Sequence, residues 1–366
     1  CIRDRDVAFV PIVRRGGKYY KLASFKMNIV RSPKTLTRAL SVAAGKTAAE
    51  RYASNSVLSQ GRWVKIGITE DGVYRLTAAD LRRMGFNDPS RVKLYGYGGH
   101  VQDEVIDADT DFDDLEEVPL YRDERGLLFF GKGLISWSAT DRRGRATHRV
   151  NTFAKQACYF LTEGDSPRTI EKAAVSGSPQ KNLDYTPANV LYKKEEYAWY
   201  QSGRNFYESA NYASSNSRTY QLPVVDPVAS AGGSLKVSFT AHTTKDEGDS
   251  YVTPTVDGVK LSAMRISWSG EYDAAKEGTQ TYTLNTLHEG TTGTQVTLVS
   301  TAGVDGRLGY LELCYRRQLK MRDAFLYIRH TETVPSNFVI DANGRSGLKL
   351  WCLGRRGNPM TEYQGT

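Results

Sequence analysis

Apolar and polar positions alternate with a period of two through much of this chain, in short runs separated by turn residues. Val7–Val13 and Lys18–Ile29 flank Arg15-Gly16-Gly17 and predict a small β-unit over residues 6–30. From Ser32 to Asn55 the aromatics almost vanish and no apolar stripe forms, so the segment reads as a linker. Gly61–Ile68 predicts a strand, Glu70-Asp71-Gly72 a turn, and Val73–Leu76 the returning arm of a hairpin. Thr77 is a natural N-cap with Asp80 at the third helical position, Ala78–Met84 makes two short turns, and Gly85 stops them. Asn87–Ser90 turns the chain into a strand over Arg91–Tyr95, which runs into Gly96-Tyr97-Gly98-Gly99. Gly126–Gly131 and Gln156–Leu161 are buried-strand patterns, residues 163–190 are loop-like, and residues 191–208 read as an aromatic connection with helical character.

Beyond that connection, strands are predicted at Thr219–Val225, Leu235–His242, Tyr251–Val256, Gln280–Leu284, Gln295–Ser300, Gly309–Tyr315, Ala324–Arg329 and Leu348–Leu353. Such a series over about 150 residues indicates an antiparallel β-sandwich of jelly-roll type. The expected fold is mainly β. It comprises an N-terminal hairpin segment (residues 1–31), a linker (32–55), a small β-rich α+β domain (56–190), a β-sandwich (191–345) and a terminal segment (346–366).

Composition agrees. The chain has 366 residues, 40% of them apolar, with 33 glycines and 22 tyrosines, which favours strands and turns in two or three domains. No run of about 18 apolar residues is present, so no membrane-spanning helix is expected. The net charge of +8 first points to nucleic acid, but its distribution argues otherwise. Residues 1–60 hold twelve Lys/Arg and three acids, leaving the remainder at −1. That excess sits on a hairpin and linker rather than on a folded basic face, so no nucleic-acid partner is expected. A solvated segment, or contact with an acidic partner or anionic surface, fits it better.

The candidate chemistry is thin. Cys1, Cys158, Cys314 and Cys352 are too scattered for a disulfide framework, and no C-x-x-C spacing supports zinc. A cysteine at position 1 suits bacterial lipidation and fragment numbering equally well. Tyr95–Gly99 lacks the following helix N-terminus that a phosphate loop needs, so its glycines read as turn residues. Gln156-Ala157-Cys158 with His100 upstream has the spacing of a caspase-type dyad, but Tyr159-Phe160 follows the cysteine, and a buried structural thiol is expected. Residues 101–125 carry eleven acids. Asp107, Asp109, Asp111, Asp113 and Asp114 alternate there as calcium ligands would, yet Phe112 and Val118 stand where an EF-loop needs Gly and Glu, so a solvated loop is the expectation. His100, His148, His242, His288 and His330 share no metal-ligand spacing. Trp199, Tyr200, Phe206 and Tyr207 can form a sugar-stacking platform or a packed core cluster. No catalytic, cofactor or metal residue is assigned.

Ser56–Ile66, Asp71–Thr77, Leu81–Phe86, Tyr95–Gly99, Asp113–Glu117 and Leu128–Gly133 form an ordered series. With Val7–Ile29, Ser202–Glu208 and Gly309–Leu319, it resembles the N-terminal region of the PorU-type sortases. These are gingipain-like cysteine peptidases of the type IX secretion system of Bacteroidetes. The resemblance implies a whole protein on the bacterial cell surface, attached to the outer membrane after crossing the periplasm. That protein would remove the C-terminal signal domain of secreted cargo and attach the cargo to anionic lipopolysaccharide. It implies a peptidase domain C-terminal to this region, with residues 346–366 as the approach to it, and an outer-membrane barrel partner, PorV. No residue here matches the family's nucleophile or histidine, so the chain is expected to act as scaffold and docking region. Two other readings stay open: a free-standing surface adhesin or carbohydrate-binding sandwich, and an enzyme using His100 and Cys158.

Overall fold

Strands account for 48% of the chain and helix for 4% in the computed structural model, the outcome that period-two alternation predicts. The structure describes residues 12–15, 18–21, 52–102, 113–138, 145–174, 178–201, 203–329, 332, 334–354 and 360–363. There are two compact units, Cys1–Ser54 and Asn55–Thr366. In the first, β1 (Ile12–Arg15) and β2 (Lys18–Lys21) pair antiparallel, with Arg15 opposite Lys18, at the centre of the expected β-unit.

The second unit begins with β3 (Val64–Ile68), β4 (Gly72–Leu76), α1 (Ala78–Arg83) and β5 (Val92–Gly98). It continues through β6 (Glu117–Val118), β7 (Tyr121–Asp123), β8 (Gly126–Gly131), β9 (Ile135–Trp137), β10 (His148–Val150) and β11 (Ala157–Glu163). α1 starts as the sequence predicts: Thr77 Oγ1 accepts from the Asp80 amide at 3.1 Å, and Asp80 Oδ2 accepts from the Thr77 amide at 2.9 Å. Those Thr77 hydrogen bonds hold the Asp80 carboxyl down at about 2. The helix stops at Gly85, whose φ of +84° suits glycine.

The expected hairpin of β3 and β4 does not form a ladder. β3 joins the sheet β3-β11-β5-β6, whereas β4 joins β4-β8-β7. Asp71, in the turn, explains the divergence. Its Oδ1 accepts from Lys132 Nζ at 2.6 Å and from the Gly133 amide at 2.8 Å, which ties the start of β4 to the end of β8. Leu81, Phe86, Leu94, Leu127, Phe129 and Leu161, all 2% exposed or less, belong to the core of this half.

Short strands β12 (Glu171–Ala173) and β13 (Lys181–Leu183) lead into β14 (Tyr185–Lys193), in a stretch expected to be loop up to residue 190. All nine residues of β14 pair with a distant strand, and that ladder outweighs the local turn chemistry. It runs through the boundary placed at 190/191. Residues 191–208 do not make a helical connection: β14 continues to Lys193, and Tyr197 and Tyr207 form a bridge.

The sandwich adds β15 (Ser217–Val224), β16 (Gly233–His242), β17 (Ser250–Val256), β18 (Val259–Lys260) and β19 (Met264–Ile266). β20 (Lys276–Leu284), β21 (Gly290–Ser300) and β22 (Asp305–Gln318) complete it. One sheet has the order β14-β22-β16-β20; the other has β15-β21-β17-β18, with β19 also on β17. Alternation along β15 sends Tyr220, Leu222 and Val224 inward, and Leu235, Val237, Phe239 and Ala241 of β16 are wholly buried in the same core. β22 is buried on both faces. Leu311, Leu313 and Tyr315 enter the sandwich core. On its other residues, Glu312 accepts from the His148 amide at 3.1 Å and meets His148 Nδ1 at 2.6 Å, and the Cys314 thiol donates to the Ala146 carbonyl at 3.6 Å. The β9–β10 hairpin therefore lies against β22.

Two predicted sandwich strands differ. Ala324–Arg329 is not a strand; just before it, Arg322 pairs with Asp226 and Glu289. The Leu348–Leu353 pattern becomes β24 (Leu350–Leu353), after β23 (Ser336–Phe338), but it leaves the sandwich and pairs with β25 (Met360–Tyr363). β25 pairs in turn with β12, and Met360, 1% exposed, enters the core of the first half. Truncating a buried methionine costs about 2–5 kcal/mol. Met360→Ala is therefore expected to lower the urea midpoint of Asn55–Thr366 by an equivalent amount; an unchanged midpoint would detach this hairpin from the core.

Candidate functional site

Cys158 lies in β11 with Gly67 of β3 and Gly98 of β5 as its neighbours across the sheet. It is half-buried rather than buried as expected, and its thiol donates to the Gln156 carbonyl at 3.5 Å. Gly98 has φ +60°, and a Cβ there would stand 2.5 Å from the Lys132 carbonyl and from the Tyr159 hydroxyl. This glycine permits close backbone approach inside the strand: β5 runs on to Gly98, so Gly96 and Gly98 are strand residues rather than the turn expected after Tyr95. Among the described residues, Cys158, Cys314 and Cys352 are not in disulfides.

Asp114 pins the chain start of this unit. Its Oδ2 accepts from the Val57 amide at 2.6 Å and its Oδ1 from Ser56 Oγ at 3.1 Å. Cys1, Asp107, Asp109, Asp111 and His330 lie outside the described residues. Among the described residues no group of three or more His, Cys, Asp or Glu side chains is placed to hold a metal ion.

What the fold does assemble is an aromatic cleft of about 260 Å³ on the sandwich. Trp199, Tyr200 and Tyr207 of the predicted aromatic group meet there, while Phe206 is exposed outside it. The Tyr197–Tyr207 bridge, with amide-to-carbonyl distances of 2.9 and 2.8 Å, closes the segment into a loop. Trp199 is held by its Nε1, which donates to Thr240 Oγ1 at 2.9 Å. Tyr197 stands edge-on to it, 5.4 Å between centroids. The Arg307 guanidinium of β22 covers the Tyr197 ring at 3.6 Å and also donates to the Ser209 carbonyl. The Tyr200 hydroxyl accepts from the Ala274 amide at 2.8 Å, which fixes a ring that remains 50% exposed. The rings are thus set before any ligand arrives.

The polar members of the cleft come from elsewhere in the chain. Arg204 and Asn205 follow the turn at Gly203, and Glu277 projects from edge strand β20. Glu277 Oε1 accepts from Ser238 Oγ at 2.6 Å. Burial first, then the Glu277 charge, pushes the Tyr207 hydroxyl up to about 12, so it stays a neutral donor through physiological pH. Beneath the loop, buried Glu208 accepts from Tyr192 at 2.8 Å and Tyr220 at 2.9 Å, and pairs with Lys194 at 2.9 Å. Desolvation pushes Tyr220 and Tyr212 upward as well.

Sequence reasoning missed Glu277, Arg204 and Asn205. The alternation of β20 marks Glu277 as outward-facing, but nothing local marks it as a neighbour of Trp199. A second cleft of about 320 Å³ lies beside β14, with Asp71, Trp137, Phe325, Tyr327 and Arg329 among its walls. Asp71 is already committed there to Lys132 and Gly133.

No family model matches the chain, and no curated protein matches it. Among solved structures it is similar to dimeric latent PorU from Porphyromonas gingivalis, with 26% identity and a TM-score of 0.71. The match covers 80% of this chain and 28% of that protein, so the chain spans little more than a quarter of its length. This chain carries a PorU-like N-terminal region. A family 35 carbohydrate-binding module from Clostridium thermocellum aligns at 17% identity over 35% of this chain and 97% of the module. Its TM-score of 0.23 is too low to carry an argument.

Arg307→Lys is expected to keep the charge but lose the flat stack on Tyr197, lowering stability by about 1–2 kcal/mol in urea titration. Wild-type stability would show that the guanidinium does not brace the cleft.

Proposed function

We propose that this chain is the non-catalytic N-terminal support of a PorU-type sortase of the type IX secretion system. The observation that carries the proposal is the similarity over 80% of the chain, at 26% identity and a TM-score of 0.71. In the whole protein, a downstream peptidase domain supplies an activated thiolate that forms a thioester with cargo. It removes the C-terminal signal domain and passes the cargo to anionic lipopolysaccharide at the outer membrane. The present chain holds that domain in place, docks on the PorV barrel and orients the cargo signal. Its own described thiols suit a supporting role: the Cys158 thiol is half-buried on a backbone carbonyl, and the Cys314 thiol is buried against another.

The test is a pair of measurements on the purified chain. It is expected to co-elute with detergent-solubilised PorV and to hydrolyse no fluorogenic peptide carrying a cargo cleavage sequence. Peptide hydrolysis abolished by a cysteine alkylator would overturn the non-catalytic assignment, and failure to retain PorV would overturn the docking role.

A further inference from the structure

We propose that the cleft of Trp199, Tyr200, Arg204, Asn205, Tyr207 and Glu277 binds one neutral pyranose unit of a glycan. The inference rests on this chain's own geometry and not on the sortase reading. A sugar ring presents an apolar C–H face and an equatorial fringe of hydroxyls, so its receptor needs an immobile aromatic plane beside groups that both accept and donate hydrogen bonds.

Each requirement is met by named atoms. Trp199 is tied to Thr240 and Tyr200 to Ala274, so neither ring gives up much rotational freedom on binding. Half of the Tyr200 surface is open to receive a ring. Glu277 accepts from Ser238 at Oε1 and bonds the Tyr207 hydroxyl, and a carboxylate with two oxygens accepts from several donors at once. Sugar hydroxyls are such donors. The Arg204 guanidinium and the Asn205 amide, one bond of which goes to the Tyr207 hydroxyl, stand in the same wall as donors with several N–H groups each.

Size and charge narrow the ligand. About 260 Å³ lies just below the range of about 300–1,000 Å³ typical of drug-sized sites and suits a single ring with its substituents. An extended peptide needs a longer groove or a sheet edge. Phosphate or carboxylate ligands would face the Glu277 carboxylate in the same wall, which repels them and offsets the attraction of Arg204. A neutral sugar avoids that repulsion and uses both groups.

The purified chain is to be applied to a printed array of oligosaccharides covering neutral gluco-, galacto-, manno- and N-acetylhexosamine units together with their sulfated and phosphorylated forms, and the best-retained sugar titrated by calorimetry. Retention of at least one neutral glycan is expected. Tyr200→Ala and Glu277→Gln are each expected to weaken it by about tenfold or more while melting with the wild type, since both side chains are exposed. No retention on the array, affinity unchanged in both variants, or capture only of sulfated and phosphorylated sugars would overturn the proposal. PorV capture and glycan retention are separate readouts, so either reading can fail alone.

Discussion

β22, Asp305–Gln318, is the strand on which the remaining architecture depends. It pairs with β14 on one side and β16 on the other, in a sheet whose partners lie more than a hundred residues upstream at β14. Its apolar residues build the sandwich core, and its polar ones are spent outside that core. Glu312 and His148 are 3% and 8% exposed, so each would be a stranded buried polar group without the other. Removing either side chain therefore loosens the β9–β10 hairpin from the sandwich as well as leaving a charge or ring nitrogen without its partner. At the other end of the same strand, Arg307 braces Tyr197 and with it the loop that carries Trp199 and Tyr200. One strand thus sets the sandwich, the attachment of the first half and the wall of the aromatic cleft.

Several ionisable groups of the described residues form pairs or triads between distant segments: Glu208 with two tyrosines and Lys194, Asp226 with Arg317 and Arg322, Asp71 with Lys132. Such contacts hold distant segments in register. The cleft differs because Trp199 and Tyr200 are fixed by hydrogen bonds at their edges while half of the Tyr200 surface stays exposed. Rigid aromatic faces beside adaptable polar groups favour selective, modest binding.

Local physics was legible in the sequence and long-range pairing was not. The capping box at Thr77 and Asp80, the stop at Gly85 and the strand at Gly126–Gly131 follow from neighbours within a few residues, and the structure has all three. The β3–β4 hairpin was a reasonable expectation from Glu70-Asp71-Gly72, but it failed because the Asp71 carboxylate found Lys132 and Gly133 some sixty residues away. β14 hid in a loop-like stretch because its stabilising ladder is supplied by β22. The Leu348–Leu353 pattern is a strand, as its alternation predicts, but its partner β25 is not legible, since periodicity reports that a face is buried and not against what. The candidate site divides the same way. Trp199, Tyr200 and Tyr207 are clustered in sequence and were visible as a group, whereas Glu277 joins them only through the register of β20 with β16.

The account stands or falls on Asn55–Thr366 behaving as one cooperative unit organised by β22. Native-state hydrogen exchange measured across increasing denaturant tests it most directly. The amides of β14, β16, β22 and the His148–Val150 strand are expected to converge on a single opening free energy equal to that of global unfolding. Exchange of His148–Val150, or of β14, through a separate opening well below that value would contradict it.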